Sequence, residues 1–435
     1  MDFTKGLSLK KGLFYLSVMT YYPELNKIKE AREKLGRNNV VLKTPLMQNQ
    51  RLSKIFESDI YFKREDLQQV RSYKIRGAYN KISGLSEEQM KSGVICSSAG
   101  NHAQGVAYSC KQLNVPGVIV MPSTTSRQKV EQVKMFGEGF VKVILSGDTF
   151  DDAQKVAKQM AGEQNLMMIP PFDDPEIIEG QATIALELLE QLNDIDYLIV
   201  PVGGGGLAAG VSAVLKELSP KTKIIGVEPA GAPSMSVSIN NDNLTTLSHI
   251  DKFVDGAAVK RVGELTFDIC KKNLDSMLTV EEGKVCQDIL ELYNRDAIVA
   301  EPAGALSIAA LEQIKDKIRG KKVVCILSGS NNDITRSEEI RERALLYEGL
   351  KHYFIVRFPQ RAGALREFLN EVLGPDDDIT HFEYTKKHNR EKGPAIVGIE
   401  LKRKSDLQEL TTRMMDKKFF GEYLNDNPDL FQVLL

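Results

Sequence analysis

The sequence predicts an α/β fold on parallel strands, followed by a smaller ferredoxin-like (βαββαβ) domain. Three observations carry this. From Val94 to Leu327, short runs of β-branched residues alternate with longer amphipathic segments; turns of glycine or small polar residues close several of those runs; and after Ser328 the order of elements changes. Strands followed by helical periodicity, repeated several times, imply parallel strands joined by right-handed crossovers.

The elements follow in order. "GVICSSA" (93–99) precedes "NHAQGVAYSCKQL", "GVIVMP" precedes "SRQKVEQVKMFG", "VKVILSG" precedes "TFDDAQKVAKQMAG", and "YLIVPV" (197–202) precedes "GLAAGVSAVLKEL". "ITRSEEIRERALLYEGLK" is densely charged and predicts a connecting helix over 336–351, which separates a large α/β region at 20–335 from a tail at 352–435. In the tail, "HYFIVRFPQ" reads as a strand and "GALREFLNEVL" as a helix. "DITHFEY" and "AIVGIEL" are two further strands, "DLQELTTRMM" is a helix, and "FQVLL" is a final strand, enough for an independent domain.

Composition narrows the function. Of 435 residues, 42% are hydrophobic and the formal net charge is −2, so a large core can form and no basic excess invites nucleic acid or an anionic membrane. No apolar run approaches the roughly 20 residues that span a bilayer. The five cysteines are scattered without a C-x-x-C pair, which disfavours a disulfide framework or a zinc site and fits a reducing cytoplasm. Residues 1–19 place lysines before an interrupted apolar patch with no small-x-small cleavage site. They read as an unstructured leader, an added segment or an upstream start codon, with Met19 an alternative initiator.

Chemistry is expected beyond the carboxyl ends of the strands. After "YLIVPV", Gly203, Gly204, Gly205 and Gly206 run into a helix beginning near Leu207. Consecutive backbone N–H groups at a helix start suit a phosphate. No Gly-Lys-Ser/Thr follows, which excludes a Walker loop. A dinucleotide loop stays open, because Gly203-x-Gly205-x-x-Ala208 fits the loose fingerprint and Glu228 ends the next strand; a nicotinamide-dependent dehydrogenase is the corresponding alternative. "CSSAGNHAQG" forms a second strand-to-helix turn, where Ser97, Ser98 and the exposed N–H groups before the helix can receive a carboxylate; Ser98, Ala99, Gly100, Asn101 and His102 are the substrate-binding candidates, although His102 by itself reads as structural. Asn101 also reads as a helix cap. Ser328 stands at a third strand end. Lys74 lies between Arg71 and Arg76 in "VRSYKIRGAYN". A phosphate cradle, a carboxylate loop, a hydroxyl and a lysine together suit a pyridoxal-phosphate enzyme, in which the lysine forms a Schiff base with the cofactor aldehyde.

"SYKIRGA", "SSAGNHAQG", "PVGGGGLAAG", "VEPAGA", "EPAGA" and "LSGSNND" together resemble the threonine dehydratases (threonine deaminases) of the fold-type II pyridoxal-phosphate family, from about Thr44 to the C-terminus. That resemblance implies a tryptophan synthase β-like catalytic domain of two open α/β subdomains. It also implies that Lys74 carries the cofactor, Asn101 bonds its ring hydroxyl, Gly203 to Leu207 hold its phosphate and Ser328 faces its pyridine nitrogen. The implied reaction turns L-threonine into 2-oxobutanoate and ammonia, the first step of isoleucine biosynthesis, in a cytoplasmic homotetramer. A serine dehydratase or racemase-like enzyme is the alternative within the family; racemising relatives place a second Ser where this chain has Ala99. Ser234 stands where divalent-cation relatives carry Asp, which implies a monovalent cation near Glu228 and Ala232 rather than magnesium. The tail resembles the ACT-like regulatory domain of biosynthetic threonine dehydratases. Its turn through Arg361, Gly363 and Ala364 would then serve feedback by L-isoleucine.

Overall fold

The computed structural model describes residues 21–384 and 392–426, and among these the strands form one parallel sheet, one mostly parallel sheet and one antiparallel sheet. The leader at 1–19 and the apolar "FQVLL" lie outside the described residues.

The smaller parallel sheet runs Val141–Leu145, Gly117–Met121, Val94–Ser97, Met167–Met168. The larger runs Leu46–Gln48, Asp59–Arg64, Lys322–Leu327, Tyr197–Pro201, Lys223–Pro229, Ser276–Val280, and only its first pair is antiparallel. Strands buried on both faces need continuous apolar runs. Val323 to Leu327 satisfy this, each fully covered. These are the two open α/β subdomains expected.

Between the subdomains the helix Lys74–Ser83 packs on the helix Pro175–Gln191 across a buried ionic cluster. Lys63 contacts Glu187 at 2.6 Å, and Arg76 contacts Glu65 at 2.8 Å and Glu187 at 2.7 Å. Such charges persist in a dry interior only because each is paired and hydrogen-bonded.

The helix Ser337–Glu348 connects the catalytic sheets to the tail and packs along Glu282–Asp296. The side chain of Tyr347 rests on Gly283, and Arg341 reaches Glu400 of the tail at 2.7 Å. The tail is βαββαβ, with sheet order Asp378–Tyr384, Lys392–Glu400, Lys351–Pro359, Phe420–Tyr423, all antiparallel. Its helices, Ala364–Glu371 and Asp406–Asp416, bury Phe368, Leu410 and Met414 against Phe354, Phe358 and Val397. Among the described residues the pattern closes on Phe420–Tyr423, a strand the sequence reading did not single out. Gly421 lets this strand lie close, since a Cβ there would strike the carbonyl of Ile355.

Candidate active site

Lys74 is the first residue of its helix, and the segment before it is stitched to the end of the central strand. Tyr73 N–H donates to the Ser328 carbonyl at 3.2 Å, Ser330 N–H donates to the Arg71 carbonyl at 2.9 Å, and Ser72 bridges to Gly329. Arg71 takes a left-handed φ of 58° to make this crossing, a cost sustained only where the surroundings enforce it. Lys74 and Ser328 are thereby neighbours. The helix Asn101–Leu113 crosses the same point: a Cβ on Gly105 would sit 3.2 Å from the backbone of Lys74.

The amine of Lys74 donates to the carbonyl of Pro171 at 2.9 Å. Burial lowers its pKa to about 8, opposed by the charge of Glu301. The next residue, Phe172, joins the lysine to the glycine turn: its ring fills the place a Cβ on Gly204 would need, and its backbone lies 3.0 Å from a Cβ on Gly206. Gly203 is closed in similarly by the backbone of Ala257, 2.9 Å from its would-be Cβ, and Gly205 has a φ of 93°. Side chains are therefore excluded from the turn. The helix Gly206–Leu218 starts there with no side-chain cap, which leaves its first N–H groups for an incoming anion. Asp173 caps the adjacent helix Glu264–Asn273, whose Thr266 hydroxyl donates to the Gly204 carbonyl at 2.6 Å.

In the small-residue turn, Ser98 Oγ accepts from Gly100 N–H at 3.3 Å, and a Cβ on Gly100 would meet nothing within 4 Å. The space before this loop is open. Ala99 packs its methyl toward the small sheet's core. His102 is turned elsewhere: its Nε2 lies 2.9 Å from the Ile169 carbonyl, and burial together with the charge of Lys74 pushes its pKa to about 3, so the ring stays neutral. It acts as a tie, not a charge. Asn101 donates through Nδ2 to Glu301 at 2.5 Å and accepts from Asn331 at 2.7 Å. The Ser328 hydroxyl is buried and donates to the Ala303 carbonyl at 3.3 Å.

Contacts thus link Lys74 to Ser328 through Tyr73, to the helix that Asn101 opens through Gly105, and to the turn Gly203–Leu207 through Pro171 and Phe172, with Ser98 in the loop before Asn101. The structure leaves Arg361, Gly363 and Ala364 in the tail, where Gly363 (φ 85°) opens the helix, Ala364 is buried, and exposed Arg361 pairs with Glu367. Sequence inspection missed Pro171, Phe172 and Asp173, and it quoted Glu301 and Asn331 inside motifs without giving them roles. The Asp174-Pro175 helix start in "PPFDDPE" was a usable signal for the first three.

Glu228 bears on the dinucleotide expectation. Burial raises its pKa to about 7, against hydrogen bonds from Ser236 and Met235. Its oxygens accept from Met235 N–H at 2.6 Å, Ser236 N–H at 2.8 Å and Ser236 Oγ at 2.6 Å, so it caps the helix Ser234–Asn240 rather than presenting itself to a ribose. Among the described residues no cluster of three or more His, Cys, Asp or Glu can hold a metal, and no helix is long and apolar enough to cross a membrane.

A cofactor with an aldehyde and a phosphate fits these residues: a buried amine of lowered basicity stands beside a side-chain-free, uncapped helix start. The family model for pyridoxal-phosphate dependent enzymes matches residues 38–329, and that for the C-terminal regulatory domain of threonine dehydratase matches 342–434. The biosynthetic L-threonine dehydratase IlvA of Bacillus subtilis (strain 168) is 58% identical over 401 residues, 91% of this chain and 94% of that protein.

This chain belongs to the pyridoxal-phosphate-dependent threonine dehydratase family.

A second family member, the biosynthetic L-threonine dehydratase IlvA of Halalkalibacterium halodurans, is 56% identical over 91% of this chain and 96% of its own length. Among solved structures, processed threonine deaminase isoform 2 from Solanum lycopersicum has a TM-score of 0.70 at 40% identity, covering 74% of this chain and 90% of that one. The serine racemase of Dictyostelium discoideum has a TM-score of 0.66 at 34% identity, covering 72% of this chain and 99% of that one. Family membership removes the dinucleotide reading of the glycine turn.

Proposed function

We propose that this chain is an L-threonine dehydratase, converting L-threonine by β-elimination and subsequent hydrolysis to 2-oxobutanoate and ammonia. The observation that carries it is the buried Lys74 amine, drawn down to about 8 by burial and set beside the uncapped glycine turn through Pro171 and Phe172. Bound pyridoxal phosphate supplies an electron sink for the α-carbon.

Lys74 would hold its aldehyde, Gly203 to Leu207 its phosphate, Asn101 its ring hydroxyl and Ser328 its ring nitrogen. As a neutral amine, Lys74 then takes the α-proton of threonine. The turn from Ser98 to Asn101 receives the substrate carboxylate on a hydroxyl and backbone N–H groups, and His102 braces that turn from behind. Ser328 carries no charge that would keep a ring nitrogen protonated, which favours prompt loss of the β-hydroxyl over slower side reactions. Ala99 offers no proton beside the substrate, so elimination is favoured over racemisation.

Wild-type protein with pyridoxal phosphate, assayed for 2-oxo acid with threonine and serine in parallel, should release 2-oxobutanoate from threonine. Failure to do so while carrying the cofactor would overturn the activity. The tail is proposed to sense L-isoleucine through the turn at Arg361, Gly363 and Ala364. Isoleucine should then shift the threonine saturation curve, and an unchanged curve would remove the sensor role. A cytoplasmic homotetramer completes the proposal, with sedimentation to measure the assembly.

A further inference from the structure

Asn101 owes its orientation to its neighbours. Asn331 donates from Nδ2 to the Val70 carbonyl at 2.9 Å and to Oδ1 of Asn101 at 2.7 Å. A backbone carbonyl can only accept, so Val70 dictates which end of the Asn331 amide carries hydrogens. Asn101 must then turn its oxygen toward Asn331, which sends its Nδ2 to Glu301 at 2.5 Å. Glu301 is itself enclosed, 7% exposed, at the start of the helix Pro302–Ala309. Room for its carboxyl exists because Gly329 and Gly256 lack side chains: a Cβ on Gly329 would collide with Oε1, and one on Gly256 would lie 3.7 Å from it. The hydrogen bonds run one way, from Asn331 through Asn101 to Glu301, anchored at Val70.

We infer that Glu301 and Asn331 are positioning residues for the reaction: they lock Asn101 so that an amide N–H, rather than its oxygen, remains free to meet the cofactor's ring oxygen. The inference rests on the pyridoxal-phosphate reading of the site. Asn101 Nδ2 carries two hydrogens and Glu301 takes one, which leaves one donor. Reversing the amide would set acceptor against acceptor and leave Glu301 without its donor.

The test titrates apoprotein with pyridoxal 5'-phosphate and follows visible absorbance, for the wild type, E301Q, E301L and N331L. E301L and N331L should need about tenfold more cofactor for half-saturation, or more, with a displaced absorbance maximum, as expected when a buried polar group loses its hydrogen-bond partner. E301Q keeps a carbonyl oxygen to accept from Asn101 and should stay within about threefold of wild type, a rescue that mere space-filling would not give. Wild-type half-saturation and an unmoved maximum in both leucine variants would overturn the inference. Should E301L not fold by circular dichroism, N331L decides on the same criteria. Failure of the wild type to take up pyridoxal phosphate would instead overturn the reading of the site, a separate outcome.

Discussion

The Nζ of Lys74 lies 2.9 Å from the carbonyl oxygen of Pro171, a contact that seats the amine beside Phe172, the residue packed over the glycine turn. Replacing Lys74 with Ala removes both the proposed covalent anchor and the proposed base. Turnover should fall by about 10,000-fold or more, and the borohydride-sensitive visible band should vanish. Absorbance and 2-oxo acid release check it; retention of both would refute the role of Lys74.

Burial also makes Lys74 less basic, bringing its amine to about 8 from the ordinary 10.5. Only the neutral amine attacks an aldehyde. The rate at which apoprotein takes up pyridoxal phosphate should therefore rise with pH and level off above about 8. Stopped-flow absorbance measures this, and a midpoint near that of an exposed lysine would contradict it.

Gly204→Ala drives a methyl into the ring of Phe172. Overpacking of this kind costs about 1–3 kcal/mol, and the glycine turn is the element displaced. Both thermal stability and cofactor affinity should drop. Phe172→Ala in the same chain should restore part of each, since it vacates the contested space.

Glu187 pairs with both Lys63 and Arg76 in the interior, sharing Arg76 with Glu65. Glu187→Ala leaves Lys63 with only the Thr44 carbonyl and the Gln191 side chain. Loss of one partner from a buried pair costs about 3–5 kcal/mol, so the urea midpoint of the catalytic region should fall markedly. An unchanged midpoint would mean that water reaches the cluster.

Ala99→Ser adds a hydroxyl to the turn proposed to receive the substrate, at a position that is only partly buried against the core. Some racemisation of the amino acid should appear beside elimination. Chiral chromatography of recovered substrate detects it, and its complete absence would count against the role given to Ala99.

Much of the fold was legible in the sequence because parallel strands advertise themselves: "KVVCIL" and "YLIVP" are continuous apolar runs, as burial on both faces demands. The last strand of the tail was not, since Phe420–Tyr423 is four residues long and carries Gly421. At the site, glycines and polar residues at strand ends could be read directly. Pro171 stands just before a legible helix start, but its partnership with Lys74 could not be read, because it acts through a carbonyl oxygen that every residue possesses. Glu301 and Asn331 were visible as letters but not as partners: 27 or more residues separate Glu301 from Ser328 and Asn331, and the gap is closed by the helix Pro302–Ala309 packing on the strand Lys322–Leu327, with Glu301 N–H donating to the Gly329 carbonyl at 3.2 Å.

Val70 holds Asn331 through its main-chain oxygen, not through its side chain. No codon specifies that atom, so no point mutation at position 70 can delete it outright. Drift can redesign the side chains around the cofactor pocket, while the reference that tells them which way to face is inherited with the backbone itself.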